Sequence, residues 1–206
     1  MSRFDVLKSL VRTAAKSGAE RLGKMKSVNE LRHALGDLRA RRAALSEAAL
    51  TRAITHGVAD VRAVSVQLEN GRAVVDVSFE RGDPLVVAVI PEQTRFAPRG
   101  AKEVLFSVEP PELVADARVR EIVGAFAAAI ARVLWGPMLG ERKEGEHALV
   151  DREGARLRAD LRTVPSVRAA LEGSTLGMAL DVLSIESFAI EDRVLRVTIA
   201  LPLPGG

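Results

Sequence analysis

Hydrophobic and polar residues alternate in short segments along most of the chain, and one long apolar stretch interrupts this alternation. Between residues 122 and 135 only Arg132 is charged. A helix that is apolar on almost every side must be buried on more than one side. The pattern therefore predicts a central helix over residues 116–134, which ends where Gly136 and Pro137 follow.

Period-two alternation predicts strands ahead of this helix, because one face of each strand is then apolar and the other polar. Asn70-Gly71 separates two alternating segments and is the dipeptide that best fits a two-residue hairpin turn. Pro91 is expected to end a fully covered strand, and residues 92–100 are expected to form a polar loop. The predicted strands cover residues 64–68, 73–79, 85–90 and 104–108.

Further alternation after the central helix predicts two hairpins with a short helix between them. The charged residues 141–146 are expected to form a loop ahead of the first hairpin. The predicted elements are a hairpin over residues 148–161, a helix over 166–171, and a hairpin that pairs 180–190 with 194–203. These elements together predict an α+β fold in which a curved antiparallel sheet is wrapped around the long apolar helix.

The first part of the chain has helical periodicity instead. Apolar residues at spacings of three and four predict an amphipathic helix over residues 3–25. A capping-box sequence then predicts a second helix over residues 28–45. Ser46 is expected to cap a third helix, which ends at Gly57 because glycine can take the left-handed conformation.

Charge divides the chain in a similar way. Residues 1–45 carry eleven Lys or Arg and four Asp or Glu, a net charge of +7, whereas the remainder carries nineteen and twenty-three, a net charge of −4. We therefore expect a basic helical extension over residues 1–45 and an α+β domain over residues 46–206. Such an amphipathic arm can lie on an anionic membrane or bind another anionic surface, including the body itself. The cations expected to make this contact are Arg3, Lys8, Arg12, Lys16, Arg21, Lys24 and Lys26.

Composition narrows the class of protein. The chain has no cysteine, which excludes disulfides and thiolate metal sites, and its 48% apolar and 28% charged residues are ordinary for a globular protein. Its first residues lack the apolar core of a signal peptide. Abundant Arg, Ala and Val are typical of a GC-rich genome. We therefore expect a bacterial, cytoplasmic protein that the arm could hold at the inner face of the membrane.

No sequence motif indicates catalysis. Hydrolase-nucleophile, Walker and dinucleotide-binding patterns are missing, and the carboxylates are scattered over polar faces. The histidines, His33, His56 and His147, do not have the spacing of a zinc motif. We therefore expect no enzyme activity, no metal site and no cofactor.

The central helix has five alanines between residues 125 and 131, and the predicted strands are rich in valine. Small side chains that face such a sheet either pack tightly or leave an apolar cavity. Because aromatic residues make up only 3% of the chain, aliphatic groups would line the cavity and would suit an acyl chain. The predicted lining residues are Ile122, Val123, Phe126, Ile130, Val133, Val75, Val77, Val87 and Val89.

The order of elements resembles that of tubular lipid-binding (TULIP-like) domains, in which a highly curved antiparallel sheet wraps a long helix. The resemblance covers about residues 46–203. It depends on the helix that leads into the 64–79 hairpin, on the apolar helix over 116–134 and on the closing hairpin over 181–201. It implies a lipid bound in an apolar groove.

Two functions are compatible with these patterns. The first is binding of a lipid or another apolar small molecule, at the surface of an anionic membrane to which the arm attaches. The alternative is a scaffold or adaptor protein with a filled core, which binds a protein partner or forms a homodimer through its N-terminal helices. Nucleic acid is a weaker third candidate, because the arm has cations but only Phe4 for stacking and no recognition motif.

Overall fold

The computed structural model of the chain describes residues 42–97, 100–139, 145–172, 184–191 and 193–200. Within these ranges the chain forms antiparallel sheets and a few helices, which confirms the predicted α+β class. The helix predicted over residues 3–25, the larger part of the next helix, and the seven cations of the arm lie outside the described residues.

Strands and helices follow one another closely in the described ranges. The strands are β1 (Arg42–Ser46), β2 (Val61–Glu69), β3 (Arg72–Phe79), β4 (Leu85–Phe96), β5 (Lys102–Glu109), β6 (Leu149–Glu153), β7 (Arg156–Asp160), β8 (Ser184–Glu191) and β9 (Val194–Ala200). The α-helices are α1 (Glu47–Gly57), α2 (Ala117–Leu139) and α3 (Pro165–Glu172), and two short 3₁₀ helices cover Pro111–Ala115 and Leu161–Thr163.

The strands form two sheets. The larger sheet has the order β2-β3-β4-β5-β7-β6, the smaller sheet has the order β1-β9-β8, and neighbouring strands are antiparallel in both. Helix α2 packs against α1, α3, β6 and β7, and strand β8 of the smaller sheet lies against β2 and β4. One hydrophobic core is therefore shared by both sheets and the helices.

The β2–β3 hairpin confirms its predicted turn. Asn70 and Gly71 have φ angles of +49° and +77°, the positive values that a type I′ turn requires. The register places Val66 opposite Val75 and Gln67 opposite Val74. Because the side chains of directly opposite residues point to the same face of a sheet, Val66 and Val75 share one face, and that face is buried.

Strand β4 continues past the point where the sequence predicts its end. Pro91 lies inside the strand, and the pairing with β5 shifts between Pro91 and Gln93 as in a β-bulge. The pairing with β3 stops at Val89, so Pro91 occupies a stretch that is paired on one side only. A proline without an N–H is tolerated at such positions. The loop between β4 and β5 is consequently shorter than the loop predicted over residues 92–100, because β4 extends to Phe96.

Residues 42–45, predicted to end the second helix, form β1 instead. Ala43 and Leu45 are buried and Ala44 is exposed, which is the period of a strand. β1 pairs with β9, whose residues are about 150 positions away in the sequence. Local helical periodicity contains no information about such a distant partner, and the pairing overrides it.

The central helix is confirmed and is longer than predicted. The carboxylate of Asp116 accepts a hydrogen bond from the Arg118 N–H at 2.7 Å and caps the first turn. The helix passes through Gly136 and Pro137 and ends at Leu139. Pro137 removes one hydrogen bond, the one that its own N–H would donate, and the helix continues beyond it for less than one turn.

Candidate functional site

The structure brings the nine predicted lining residues into one hydrophobic core. Eight of them are at most 1% exposed, and Val133 is partly buried against the same core. They come from α2 and from the inward faces of β3 and β4, as the periodicity predicts. Phe126 also meets Phe106 of β5 edge to face, with ring centroids 5.8 Å apart. Contact of these residues with a ligand stays a prediction.

The small residues of α2 bring neighbouring backbones close to the helix. A Cβ added to Gly57, at the end of α1, would lie 2.7 Å from the Cβ of Ala125. A Cβ added to Gly124 would lie 2.5 Å from the carbonyl oxygen of Ala148. Both separations are shorter than ordinary van der Waals contacts. On this side of α2 the small side chains therefore permit tight packing.

Gly57 has the predicted role at the end of α1 but not the predicted left-handed conformation. It ends α1 as expected, yet its φ angle is not among the positive values found in the described residues. The Val58 N–H donates to the Ile54 carbonyl and closes the helix without a left-handed residue. The glycine is required here by the close approach of Ala125, which the local sequence does not reveal.

Residues 145–148 form a short strap that ties α1 to α2. The Gly145 N–H donates to the His56 carbonyl at 2.9 Å, and the Ala148 N–H donates to the Gly124 carbonyl at 3.0 Å. The sequence pattern predicts a charged loop as far as Glu146. Residues 141–144 lie outside the described residues, and residues 145–148 are in neither helix nor strand, with backbone hydrogen bonds at both ends of the strap.

Glu146, in the middle of the strap, carries a buried carboxylate. Its side chain is 1% exposed and accepts a hydrogen bond from Nε of Arg132 at 2.7 Å. Its other oxygen accepts from the Ser166 N–H, at the start of α3, at 3.2 Å. The Arg132–Glu146 ion pair thus joins helix α2 to the strap, and the same carboxylate joins the strap to helix α3. Arg132 is the sequence signal for this site, because a cation in an apolar helix needs a counter-charge.

A second buried charge closes the hairpin between β4 and β5. Lys102 is 1% exposed, its Nζ donates to the Ala97 carbonyl at 2.6 Å, and it lies 5.6 Å from the ring centroid of Phe96. The Arg162 guanidinium donates to the Gly100 carbonyl in the same hairpin at 2.9 Å. Both cations stabilise the β4–β5 hairpin by donating hydrogen bonds to its backbone carbonyl oxygens.

One half of the outer face of the larger sheet is covered by paired charges. Arg95 binds Glu153 through two hydrogen bonds of 2.6 and 2.9 Å. This pairing lowers the pKa of the Glu153 carboxyl and raises the pKa of Arg95. Similar pairs join Arg156 to Glu92 at 2.8 Å, and Arg158 to Asp151 at 3.1 Å and to Glu103 at 3.7 Å.

Glu47, the first residue of α1, joins three parts of the fold. Its carboxylate accepts two hydrogen bonds from Arg193, at 3.1 and 2.7 Å, and one from the Leu68 N–H at 2.9 Å. The hydrogen bonds from Arg193, followed by the one from Leu68, lower the pKa of Glu47 below its ordinary value of 4.5. Neutralising this carboxyl would therefore weaken contacts among α1, β2 and the β8–β9 turn.

We expect Glu47 to make the stability of the fold depend on acid pH. Its pKa is lowered on folding, so its ionised form contributes stability above pH 4.5, and this contribution is lost as the pH falls through the lower folded pKa. Glu47→Gln should lower the urea midpoint at pH 7, and the difference from the native protein should shrink as the pH falls through the folded pKa of Glu47. Glu69→Gln, which changes an exposed carboxylate nearby, is the control. A constant difference from pH 7 to pH 3 would contradict the assignment.

The described residues contain no group of three or more His, Asp and Glu side chains arranged to hold a metal ion. His147 contacts the Gly145 carbonyl through Nδ1 at 2.9 Å, His56 is exposed, and His33 lies outside the described ranges. No helix among the described residues has both the length and the apolar character needed to cross a membrane.

The chain was compared with protein-family models, with curated proteins and with solved structures, and none of the three comparisons gives a match. The resemblance to TULIP-like domains stays a prediction from the order of elements.

Proposed function

We propose that the chain is a non-enzymatic interaction protein, in which a filled α+β body carries a basic arm that binds a protein partner. The observation behind this proposal is the tight packing around the small residues of α2. Gly124 and Ala125 lie against the Ala148 carbonyl and Gly57, at separations too short for an additional carbon atom. Ala125, which could have bordered a cavity on this side, lies against Gly57 instead.

The charge of the arm supports the choice of partner. Residues 1–41, which precede β1, carry ten Lys or Arg and four Asp or Glu, a net charge of +6, and the rest of the chain has −3, so the arm would favour an acidic surface. An acidic protein partner, or a second copy of this chain, would supply one. The body itself would act as a rigid support, because its core residues are almost completely buried.

Binding of an apolar ligand is the second candidate. It is favoured by the convergence of the nine predicted lining residues in one aliphatic core. In this proposal the larger sheet curves around α2 as in TULIP-like domains, an acyl chain lies between α2 and β3–β4, and the arm attaches to an anionic membrane. The ligand would have to separate side chains that are now at most 1% exposed.

Extraction of the purified full-length protein with organic solvent, followed by mass spectrometry, discriminates between the two candidates. We expect no lipid in stoichiometric amount, either directly or after incubation with lipid vesicles, because the small-residue side of α2 is closed by backbone contacts. One lipid molecule per chain would overturn the interaction proposal and support the ligand proposal.

The role of the arm is tested by the mass of the protein in solution. If the arm mediates association, removal of residues 1–26 should lower the number of chains per particle, obtained by dividing the mass from light scattering by the mass of one chain. A second variant replaces Arg3, Lys8 and Arg12 with Gln in the full chain and should have the same effect. An unchanged number of chains per particle in both variants would contradict a role of the arm in association.

A further inference from the structure

The outer face of the larger sheet has two halves that differ in how their charges are paired. One half consists of β4, β5, β6 and β7, where four carboxylates each have an arginine partner. These carboxylates belong to Glu92, Glu103, Asp151 and Glu153. On β2–β3 and the adjoining turns, five carboxylates have no ion-pair partner among the described residues. These belong to Asp60, Glu69, Asp76, Glu80 and Asp83.

Apolar side chains lie among these unpaired carboxylates. Val86 is 56% exposed, one of two large hydrophobic residues with high exposure in the described ranges. The register places Val86 opposite Asp76 and Ala88 opposite Val74, and the inward pair Val75–Val87 lies between them. All four side chains therefore share the outer face. Because Ala88 is only 7% exposed, we define the outer patch as Val74, Asp76 and Val86.

The cations of this half of the sheet are too few to neutralise it. Arg72 is already paired with Glu109 at 2.7 Å. Arg62 and Arg81 remain, together with Arg118 of α2, which donates to the Arg81 carbonyl at 3.0 Å. Among the described residues these three cations stand against the five unpaired carboxylates. A surface that combines an exposed valine with excess negative charge is complementary to a segment that combines an apolar stripe with positive charge.

We propose that residues 3–25 of the same chain dock on the outer patch. This segment has the required chemistry, because the helix predicted from its spacing would place Phe4, Leu7 and Val11 on one apolar stripe between cations. It carries six Lys or Arg and two Asp or Glu, a net charge of +4. The stripe covers Val86 and Val74, and the cations lie beside Asp76 and the surrounding carboxylates.

The connection is long enough for this docking within one chain. Residues 26–41 separate the segment from β1. Sixteen residues can span about 55 Å when extended. A compact domain of about 160 residues has a radius of gyration of roughly 15 Å, so the segment can reach any side of the body. The docked arm would be unavailable to a partner until an acidic surface displaced it.

Engineered cysteines test the proposal directly, because the chain has none of its own. In the full-length protein, Val11→Cys is combined with Val86→Cys, and disulfide formation is followed on non-reducing gels at low protein concentration. The matched control combines Val11→Cys with Leu149→Cys, since Leu149 is 63% exposed on β6, in the half with paired charges. Docking should make the Val11–Val86 disulfide within one chain form about tenfold faster than the control.

The charge contribution is tested in the same assay. Adding Asp76→Lys should slow the Val11–Val86 disulfide toward the rate of the control, and emission from the buried Trp135 verifies that each variant is folded. Equal rates for the two cysteine pairs would overturn the proposal. A disulfide that forms only between chains would overturn docking within one chain and indicate a second copy as the occupant.

Discussion

Gly124→Ala should lower the free energy of unfolding by about 2 kcal/mol or more, although alanine is a better helix former than glycine by about 1 kcal/mol. The new Cβ would lie 2.5 Å from the Ala148 carbonyl oxygen, and 3.5 Å from side-chain atoms of His147 and Val150. That oxygen belongs to the strap backbone, which also donates to the Gly124 carbonyl. Either α2 or the strap must move. Urea and thermal unfolding measure the change, and we expect the Tm to fall by roughly 4–8 °C.

Gly136→Ala is the matched control in the same helix. A Cβ at Gly136 meets no atom of the described residues within 4 Å, and Gly136 does not have a positive φ angle. Helix propensity then acts alone, so this variant should be more stable than the native protein by up to about 1 kcal/mol. Equal stability changes for Gly124→Ala and Gly136→Ala would contradict the close approach of the strap to α2.

Glu146→Gln should cost about 3 kcal/mol of folding free energy, because it removes the counter-charge of a cation that is largely buried. The Glu146 side chain is 1% exposed and the Arg132 side chain is 16% exposed. The amide can still accept from the Ser166 N–H, so the variant mainly reports the loss of charge. Chemical denaturation at pH 7 gives the difference from the native protein.

Two further variants separate burial from charge pairing. Glu109→Gln breaks the Arg72–Glu109 pair, which has the same 2.7 Å distance but is 51% exposed on the glutamate side, and should cost less than about 1 kcal/mol. The double variant Arg132→Met with Glu146→Leu should recover much of the loss, because apolar groups of similar volume can replace a buried pair. A cost for Glu146→Gln as small as that for Glu109→Gln would contradict a buried role for Glu146.

Local periodicity predicts the elements of this chain better than their ends. The alternation around Asn70-Gly71 predicts a hairpin that the structure confirms, since type I′ turns require positive φ angles that these two residues adopt easily. The end of β4 was not predictable in this way. Pro91 is tolerated because the pairing with β3 stops at Val89, and this depends on how far one strand extends along another.

The residues of the candidate site likewise differ in how well the sequence predicts their positions. Periodicity assigns Val75, Val87 and Phe126 to buried faces, and they meet in one core. The sequence gives no equivalent signal for Glu146, which belongs to a run of charged residues. Its burial follows from the backbone bonds that hold the strap against α1 and α2.

The α+β class, the buried central helix and the hairpins can be predicted from the sequence alone, and so can the excess of positive charge in the first part of the chain. Each of these follows from interactions between residues close in the chain, or from composition. Three other features become visible in the folded chain alone: residues 42–45 form a strand, Gly57 and Gly124 allow neighbouring segments to approach closely, and Arg132 has a carboxylate partner. These features depend on contacts between segments far apart in sequence, whose positions are set by the packing of the whole core.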